Sequence, residues 1–284
     1  MKILVTGATG FIGTHLIKDF IQNGYRPTAA GKDRSKLTAL SEAYGVDTVN
    51  FDIKSSEKNW YLILGKPDIV IHLAWGALDD FNNSSHFENE LPTHYNFLKN
   101  IISNGAKKVL VAGTCFEYGL QDGELSENNY TAPIISYAIA KDSLRRYLLL
   151  LQKREKYSLT WLRYFYMYCA GQDKKTLLSQ LDSAISRGDA VFNMSGGEQL
   201  RDYLPVEEVA RLTALLATEN HGNGIFNICS GEPVSIRKLV EKRTIESGSD
   251  IKLNLGFYPY PEYEPMAFWG DRKKIDSILV AKGK

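Results

Sequence analysis

The sequence predicts an α/β protein: a doubly wound parallel sheet with helices on both faces, followed by a smaller C-terminal lobe. Three observations predict it. Short apolar runs alternate with segments of helical periodicity, a glycine-punctuated turn joins the first strand to the first helix, and the rhythm changes after Arg163.

Residues 2–6 read as a strand and 7–13 as a turn. Leu16, Ile17, Phe20 and Ile21 then form the apolar stripe of a helix that stops at Asn23 and Gly24. A short strand over 27–30, a helix over 35–44 and a strand over 48–51 follow. After the Pro67, Asp68 turn, 69–73 is a near-continuous apolar run, the pattern of a strand buried on both faces. A helix over 88–104 must carry Pro92 in its first turn or kink there. A strand over 109–112, a long helix over 135–155 and a strand over 159–163 complete the alternation. This makes 1–163 a Rossmann-type, dinucleotide-binding domain and 164–284 the second lobe. Gly196, Gly197, Gly222, Gly224 and the 258–261 stretch punctuate that lobe, and a strand over 225–228 is placed to rejoin the first sheet.

Composition narrows the function. The 284 residues are 44% hydrophobic and 24% charged, with 34 Lys+Arg against 33 Asp+Glu and a net charge of +1, which gives no general attraction to nucleic acid or to an acidic membrane. The apolar runs are far shorter than a membrane span, and no secretory signal pattern opens the chain, so a cytoplasmic protein is expected. Cys115, Cys169 and Cys229 are too few and too scattered for a disulfide framework. His15, His72, His86, His94 and His221 lack metal-ligand spacing, so no metal is expected. Neither a G-x-S-x-G elbow nor the Lys-Ser/Thr of an ATP-binding loop is present.

The chemistry concentrates in two places. Gly7, Gly10 and Gly13 are spaced G-x-x-G-x-x-G between a strand and a helix, where glycine permits close backbone approach and the helix N-terminus attracts a pyrophosphate. A tight turn without ligand is the plainer alternative. At the end of the second strand, where an acid would bond the ribose 2′-hydroxyl of NAD, stands Gly31, followed by Lys32 and Arg34. Two cations and no acid favour NADP(H); Asp33 keeps NAD(H) possible. In the second place, Tyr137 and Lys141 lie four apart in a predicted helix, so phenol and ammonium share a face. The cation is expected to lower the phenol pKa and fit it for proton transfer. Thr114, just past a strand, supplies a hydroxyl for the same substrate oxygen. Alone, Y-x-x-x-K is an ordinary amphipathic pair.

The order of these motifs resembles the extended short-chain dehydrogenase/reductase family, specifically the NAD(P)-dependent epimerase/dehydratases of nucleotide sugars. The resemblance is carried by LVTGATGFIG (4–13), NFDI (50–53), PDIVIHLA (67–74), GTCFEYG (113–119), the Tyr137/Lys141 pair, LRYFYMYCAGQ (162–172), RDYLPVEEVA (201–210) and FNICSGEPVSI (226–236). It implies that the turn residues Gly7, Thr9, Gly10, Phe11, Ile12 and Gly13 hold the dinucleotide together with Asp52, Ile53, Leu73, Ala74 and Trp75. It implies Tyr137 as acid/base, Lys141 on the nicotinamide ribose, and Thr114 on the reacting oxygen. A nucleoside-diphosphate sugar would meet Trp75, Thr114, Cys115, Phe116, Tyr166 and Arg201, with Arg201 toward its phosphates. Trp75 as interlobe core and Cys115 as a buried structural thiol stay open. A homodimer through the helices near 88–104 and 135–155 is implied as well, and the all-round apolar run Leu148, Leu149, Leu150, Leu151 agrees with it.

Departures from the family pattern point to the reaction. The sugar 4,6-dehydratases carry Asp-Glu after the threonine; here Cys115 and Phe116 stand there, which excludes that elimination. The cysteine and histidine of the fucose-synthase-like enzymes are replaced by Phe116 and Gln172, which argues against double epimerisation. Tyr166 replaces a usual Asn, and no arginine stands near Glu264, Pro265, Met266. The reading is NADPH-dependent reduction of a 4-keto-6-deoxy nucleoside-diphosphate sugar, as in bacterial deoxysugar and lipopolysaccharide synthesis; the GTCFEYG segment resembles that of such reductases, CDP-abequose synthase-like ones among them. An NAD-dependent nucleotide-sugar 4-epimerase is the alternative, and an inactive NADP-binding sensor or scaffold a third.

Overall fold

Period-two burial builds the central sheet. In the computed structural model, which describes residues 1–55, 59–169, 176–219 and 223–281, Ile3 and Val5 face one apolar cluster while Leu4 faces another. Gln172, His221 and Gly222 lie outside the described residues. The first half of the chain runs β1 (Ile3–Thr6), α1 (Phe11–Gln22), β2 (Thr28–Gly31), α2 (Arg34–Tyr44), β3 (Thr48–Asn50), α3 (Trp60–Ile63), β4 (Ile69–His72), α4 (Leu91–Ser103) and β5 (Lys108–Thr114). It continues through β6 (Gly123–Leu125), α5 (Ser136–Leu151), β7 (Ser158–Tyr164), β8 (Tyr166–Tyr168), α6 (Leu177–Arg187), β9 (Val191–Asn193), β10 (Leu200–Pro205) and α7 (Val206–Thr218). Last come β11 (Gly224–Ile228), β12 (Pro233–Ser235), α8 (Ile236–Glu246), β13 (Lys252–Asn254), β14 (Phe268–Gly270) and α9 (Lys273–Ala281).

Among the described residues, seven strands pair in parallel in the order β11-β7-β5-β4-β1-β2-β3. The strand order reverses between β1 and β4, and in doubly wound sheets the crevice beyond that switch point is where ligands bind. α1 and α7 cover one face through Leu16, Ile17, Phe20, Val209 and Leu212; α4 and α5 cover the other through Phe97, Leu98, Ile101, Leu144 and Leu148. β11, from late in the chain, extends this sheet by pairing with β7.

The helix expected over 88–104 is divided. A π-helical turn, His86–Glu90, leads into α4, and Pro92 falls in the first turn of the α-helix, where its missing N–H costs no hydrogen bond. The helix expected over 135–155 ends at Leu151. The C-terminal part adds a sheet β12-β10-β8 and the pairs β13-β9 and β14-β6, with a separate apolar cluster of Leu181, Phe192, Met194, Val240 and Ile251. Among the described residues no helix is long and apolar enough to cross a membrane.

Candidate active site

The glycine turn is built around close contacts. Gly7 has φ +70°, and a Cβ on it would stand 2.7 Å from the amide nitrogen of Ala74. A Cβ on Gly13 would stand 2.3 Å from the Gly7 carbonyl oxygen. The turn after β1 and the loop after β4 therefore touch, and only glycine permits it. Gly10 caps α1 without a side-chain hydrogen bond, so the first amides of the helix stay open beside the partly exposed Thr9, Phe11 and Ile12. These features fit a dinucleotide pyrophosphate. Ile53 and Lys54 line a cavity of about 450 Å³ with Trp60, Asn96 and Asn100. Asp52 is exposed, and its carboxylate accepts the Lys54 amide at 2.9 Å.

At the end of β2, Gly31 faces the Thr9 side chain; a Cβ there would lie 3.4 Å from Thr9 Oγ1. Asp33, the rival acceptor for a ribose, is the N-cap of α2 and takes the Lys36 amide at 3.1 Å. Lys32 and Arg34 are exposed.

The second motif meets the first through Trp75. Lys141, fully buried near the start of α5, donates to the Ala112 carbonyl of β5 at 2.8 Å, and its ammonium lies 3.9 Å from the centroid of the Trp75 ring. Trp75 follows Ala74, which touches Gly7. Tyr137, half-buried on the same helix, stacks on Phe81 at 5.2 Å, and Phe81 packs on Phe116 at 5.6 Å, two residues beyond Thr114. Thr114 ends β5; its hydroxyl accepts the Phe116 amide at 3.3 Å and retains its own proton for donation.

The expected lowering of the phenol is not found. Burial raises the Tyr137 pKa above its ordinary value, and Glu117 and Cys115 push it the same way. The reason is directional: Lys141 points to Ala112 and Trp75, and its ammonium is 5.8 Å from the Tyr137 ring centroid. Burial brings Lys141 itself down to about 7, against the opposing pull of Glu117 and Glu90. Leu73 is tied to β1 by its amide, which donates to the Thr6 carbonyl at 3.1 Å.

Two residues expected to touch substrate have partners within the protein. Cys115 is buried in an apolar cluster with Tyr118, Phe165 and Phe268, and burial pushes its thiol up, so it serves as core. Arg201 is held by Glu264, its Nε and Nη2 donating to one carboxylate oxygen at 3.0 and 2.7 Å; a carboxylate stands in the stretch where an arginine was sought. Tyr166, Arg201 and Glu264 line a second cavity of about 310 Å³ with Phe192, Gln199 and Tyr203. Phe116 stands between the two regions, 6.2 Å from Tyr166 in an edge contact.

Three buried polar side chains beside the site escaped sequence reasoning. Glu117 is buried beneath Thr114, where it accepts from the Thr114 amide at 2.9 Å, Trp161 at 2.8 Å and Arg163 at 2.9 Å. The T-x-x-E spelling of a capping box at 114–117 was its available signal. Glu90 and His94, buried on the first turns of the α4 region, carried no local signal.

A doubly wound parallel sheet with a glycine turn at its switch point is a Rossmann-type fold, and solved structures that superpose on it agree. The chain belongs to the NAD dependent epimerase/dehydratase family, whose model matches residues 3–229. It is 29% identical over 276 residues to dTDP-6-deoxy-L-talose 4-dehydrogenase (NAD(+)) of Aggregatibacter actinomycetemcomitans, covering 95% of this chain and 99% of that one. It is 29% identical over 272 residues to dTDP-4-dehydro-6-deoxyglucose reductase of Escherichia coli, covering 90% and 84%. UDP-glucose 4-epimerase of Thermotoga maritima, solved with UDP-glucose, superposes with a TM-score of 0.85 at 26% identity, covering 98% of this chain and 92% of that one. MoeE5, solved with UDP-glucuronic acid and NAD, gives 0.84 at 26% identity, covering 99% and 93%.

Proposed function

We propose that the protein reduces the 4-keto group of a 4-keto-6-deoxy nucleoside-diphosphate sugar with NADPH. One observation carries the proposal: the contact path Gly7, Ala74, Trp75, Lys141 joins the dinucleotide turn to the Tyr137 helix. The hydride comes from the reduced nicotinamide when the dinucleotide is bound. Thr114 donates a hydrogen bond to the keto oxygen. As carbon 4 gains the hydride, its oxygen takes the Tyr137 phenolic proton; the phenolate regains a proton from solvent, and the Lys141 ammonium, 5.8 Å from the phenol ring centroid, adds a positive charge that favours the transient phenolate. Burial keeps the phenol protonated, so the proton this step needs is in place before the hydride arrives.

Two features support a 6-deoxy sugar and a simple reduction. Cys115 is buried and Phe116 is apolar, so neither moves protons at carbons 5 and 6. Phe81 and Phe116 form an aromatic wall beside Tyr137 that suits a methyl group better than a hydroxymethyl. The second cavity, with Arg201 and Tyr166, is the proposed nucleotide end. Lys32 and Arg34, with Asp33 engaged as a helix cap, support the 2′-phosphate of NADPH. Partly exposed Tyr147, Leu149 and Leu150 on α5 are the proposed dimer face.

The 4-epimerase reading is favoured by the likeness to the Thermotoga maritima enzyme. Incubation with a panel of 4-keto-6-deoxy nucleotide sugars and NADPH separates the two. Stoichiometric loss of NADPH absorbance supports the reductase; isomers formed without net consumption refute it.

A further inference from the structure

A buried file of hydrogen bonds runs beneath the crevice. Thr6 Oγ1 and His72 Nδ1 are 2.7 Å apart, His72 Nε2 and His94 Nδ1 2.7 Å, and His94 Nε2 and Glu90 Oε2 3.1 Å. All four residues are at most 2% exposed. Glu90 also accepts the Gly76 amide at 2.9 Å and the Lys54 ammonium at 2.5 Å. Acid–base chemistry at the proposed reacting pair makes no direct use of any of them.

The direction of every bond follows from Glu90. Its carboxylate, brought down to about 2 by the His94 hydrogen bond and by Lys54, only accepts. His94 Nε2 must therefore carry the proton. Burial lowers the pKa of both imidazoles, so each holds one N–H. His94 Nδ1 is then bare and accepts from His72 Nε2–H, and His72 Nδ1 accepts the Thr6 hydroxyl proton. The file ends where the active site begins. The His94 ring stacks on Trp75 at 4.5 Å and 17°, and Trp75 carries Lys141. Trp75 is also pinned by its indole N–H, which donates to His86 Nδ1 at 3.1 Å. A Cβ on Gly76 would stand 2.7 Å from the Glu90 carboxyl atoms, so loop and carboxylate are fitted to each other.

We propose that Glu90 is a positioning residue: it polarises the Thr6–His72–His94 file, clamps the 73–76 loop, and so holds the Trp75 ring as the platform on which Lys141 is seated and kept charged. The inference rests on the reading of Tyr137 and Lys141 as the reacting pair. Lys141 faces Glu117 and Glu90 as carboxylates, Tyr137 on its own helix, and His72 and His94 from β4 and α4; Lys54 faces Glu90.

The test uses the whole chain, with Glu90→Gln, which keeps an acceptor for His94 but removes the charge, and Gly76→Ala, which leaves every charge in place but displaces the carboxylate. Nitrogen NMR of the wild type should show both His72 and His94 neutral and protonated on Nε2. In Glu90→Gln the Lys141 amine should titrate at lower pH, because a negative charge that favours the ammonium is gone. The alkaline limb of the kcat profile should move to lower pH with it, and kcat should fall about tenfold, while the keto-sugar KM and the NADPH Kd change by less than about twofold. Gly76→Ala should lower kcat in the same sense. A proton on Nδ1 of either histidine, a charged imidazole at neutral pH, or an unmoved Lys141 titration in Glu90→Gln overturns the inference. These spectra need no turnover, so a wild type that reduces no keto sugar refutes the proposed reaction and leaves this inference to be decided by the NMR.

Discussion

Lys141 seats its ammonium 3.9 Å from the centroid of the Trp75 ring and not beside the Tyr137 phenol, whose ring centroid is 5.8 Å away. A cation over an indole face gains electrostatic attraction while staying desolvated. That placement links the helix of Tyr137 and Lys141 to the loop that borders the glycine turn.

Replacing Tyr137 by Phe removes the proton donor but leaves the ring stacked on Phe81. Turnover should fall by about 10²- to 10⁴-fold, the usual contribution of a positioned acid. NADPH affinity by calorimetry should stay within about twofold of wild type, as expected when an interaction made only in the transition state is removed. Equal loss of both would contradict the assignment.

NADPH should bind more tightly than NADH, and Arg34→Ala should narrow the gap, because Arg34 and Lys32 are the exposed cations at the end of β2. A calorimetric preference of the native protein for NADH would reverse the cofactor assignment.

Gly7→Ala forces a residue with φ +70° to carry a Cβ 2.7 Å from the Ala74 nitrogen. The two crevice loops must separate, so dinucleotide binding should weaken by about tenfold or more and Tm should fall, since a strained αL position alone costs about 1–3 kcal/mol. Unchanged binding in a titration would show that the turn does not hold the cofactor.

Lys141 sets a pH dependence of stability. Its folded value is about 7 against 10.5 in the open chain. Between those values the unfolded chain binds a proton that the folded chain has released, so wild-type stability rises with pH across that window. Lys141→Met abolishes the dependence. Its gain in Tm should be largest at pH 6 and shrink toward pH 10; a gain that grows with pH would show that the lysine is not held against burial.

Local pattern carried much of the sheet. The apolar run at 69–73 became β4, and the late run at 225–228 became β11, because a strand buried on both faces writes its burial into consecutive residues. The glycine turn was legible for the same reason: its contacts are short-range, apart from the one to Ala74. The π-turn at His86–Glu90 was not, since nothing local distinguishes it from the start of α4. Arg201 and Glu264 lie 63 residues apart and Thr6 and His72 66 apart, so their pairing is invisible to any periodicity.

From the sequence alone came the parallel sheet, the glycine turn and the shared helical face of Tyr137 and Lys141, all consequences of spacing along the chain. Tertiary structure alone decided where Lys141 points, that Tyr137 is held protonated, that Cys115 is core and that Arg201 is paired. Each of those depends on desolvation and on which distant groups arrive at the same place, and neither is encoded in neighbouring residues.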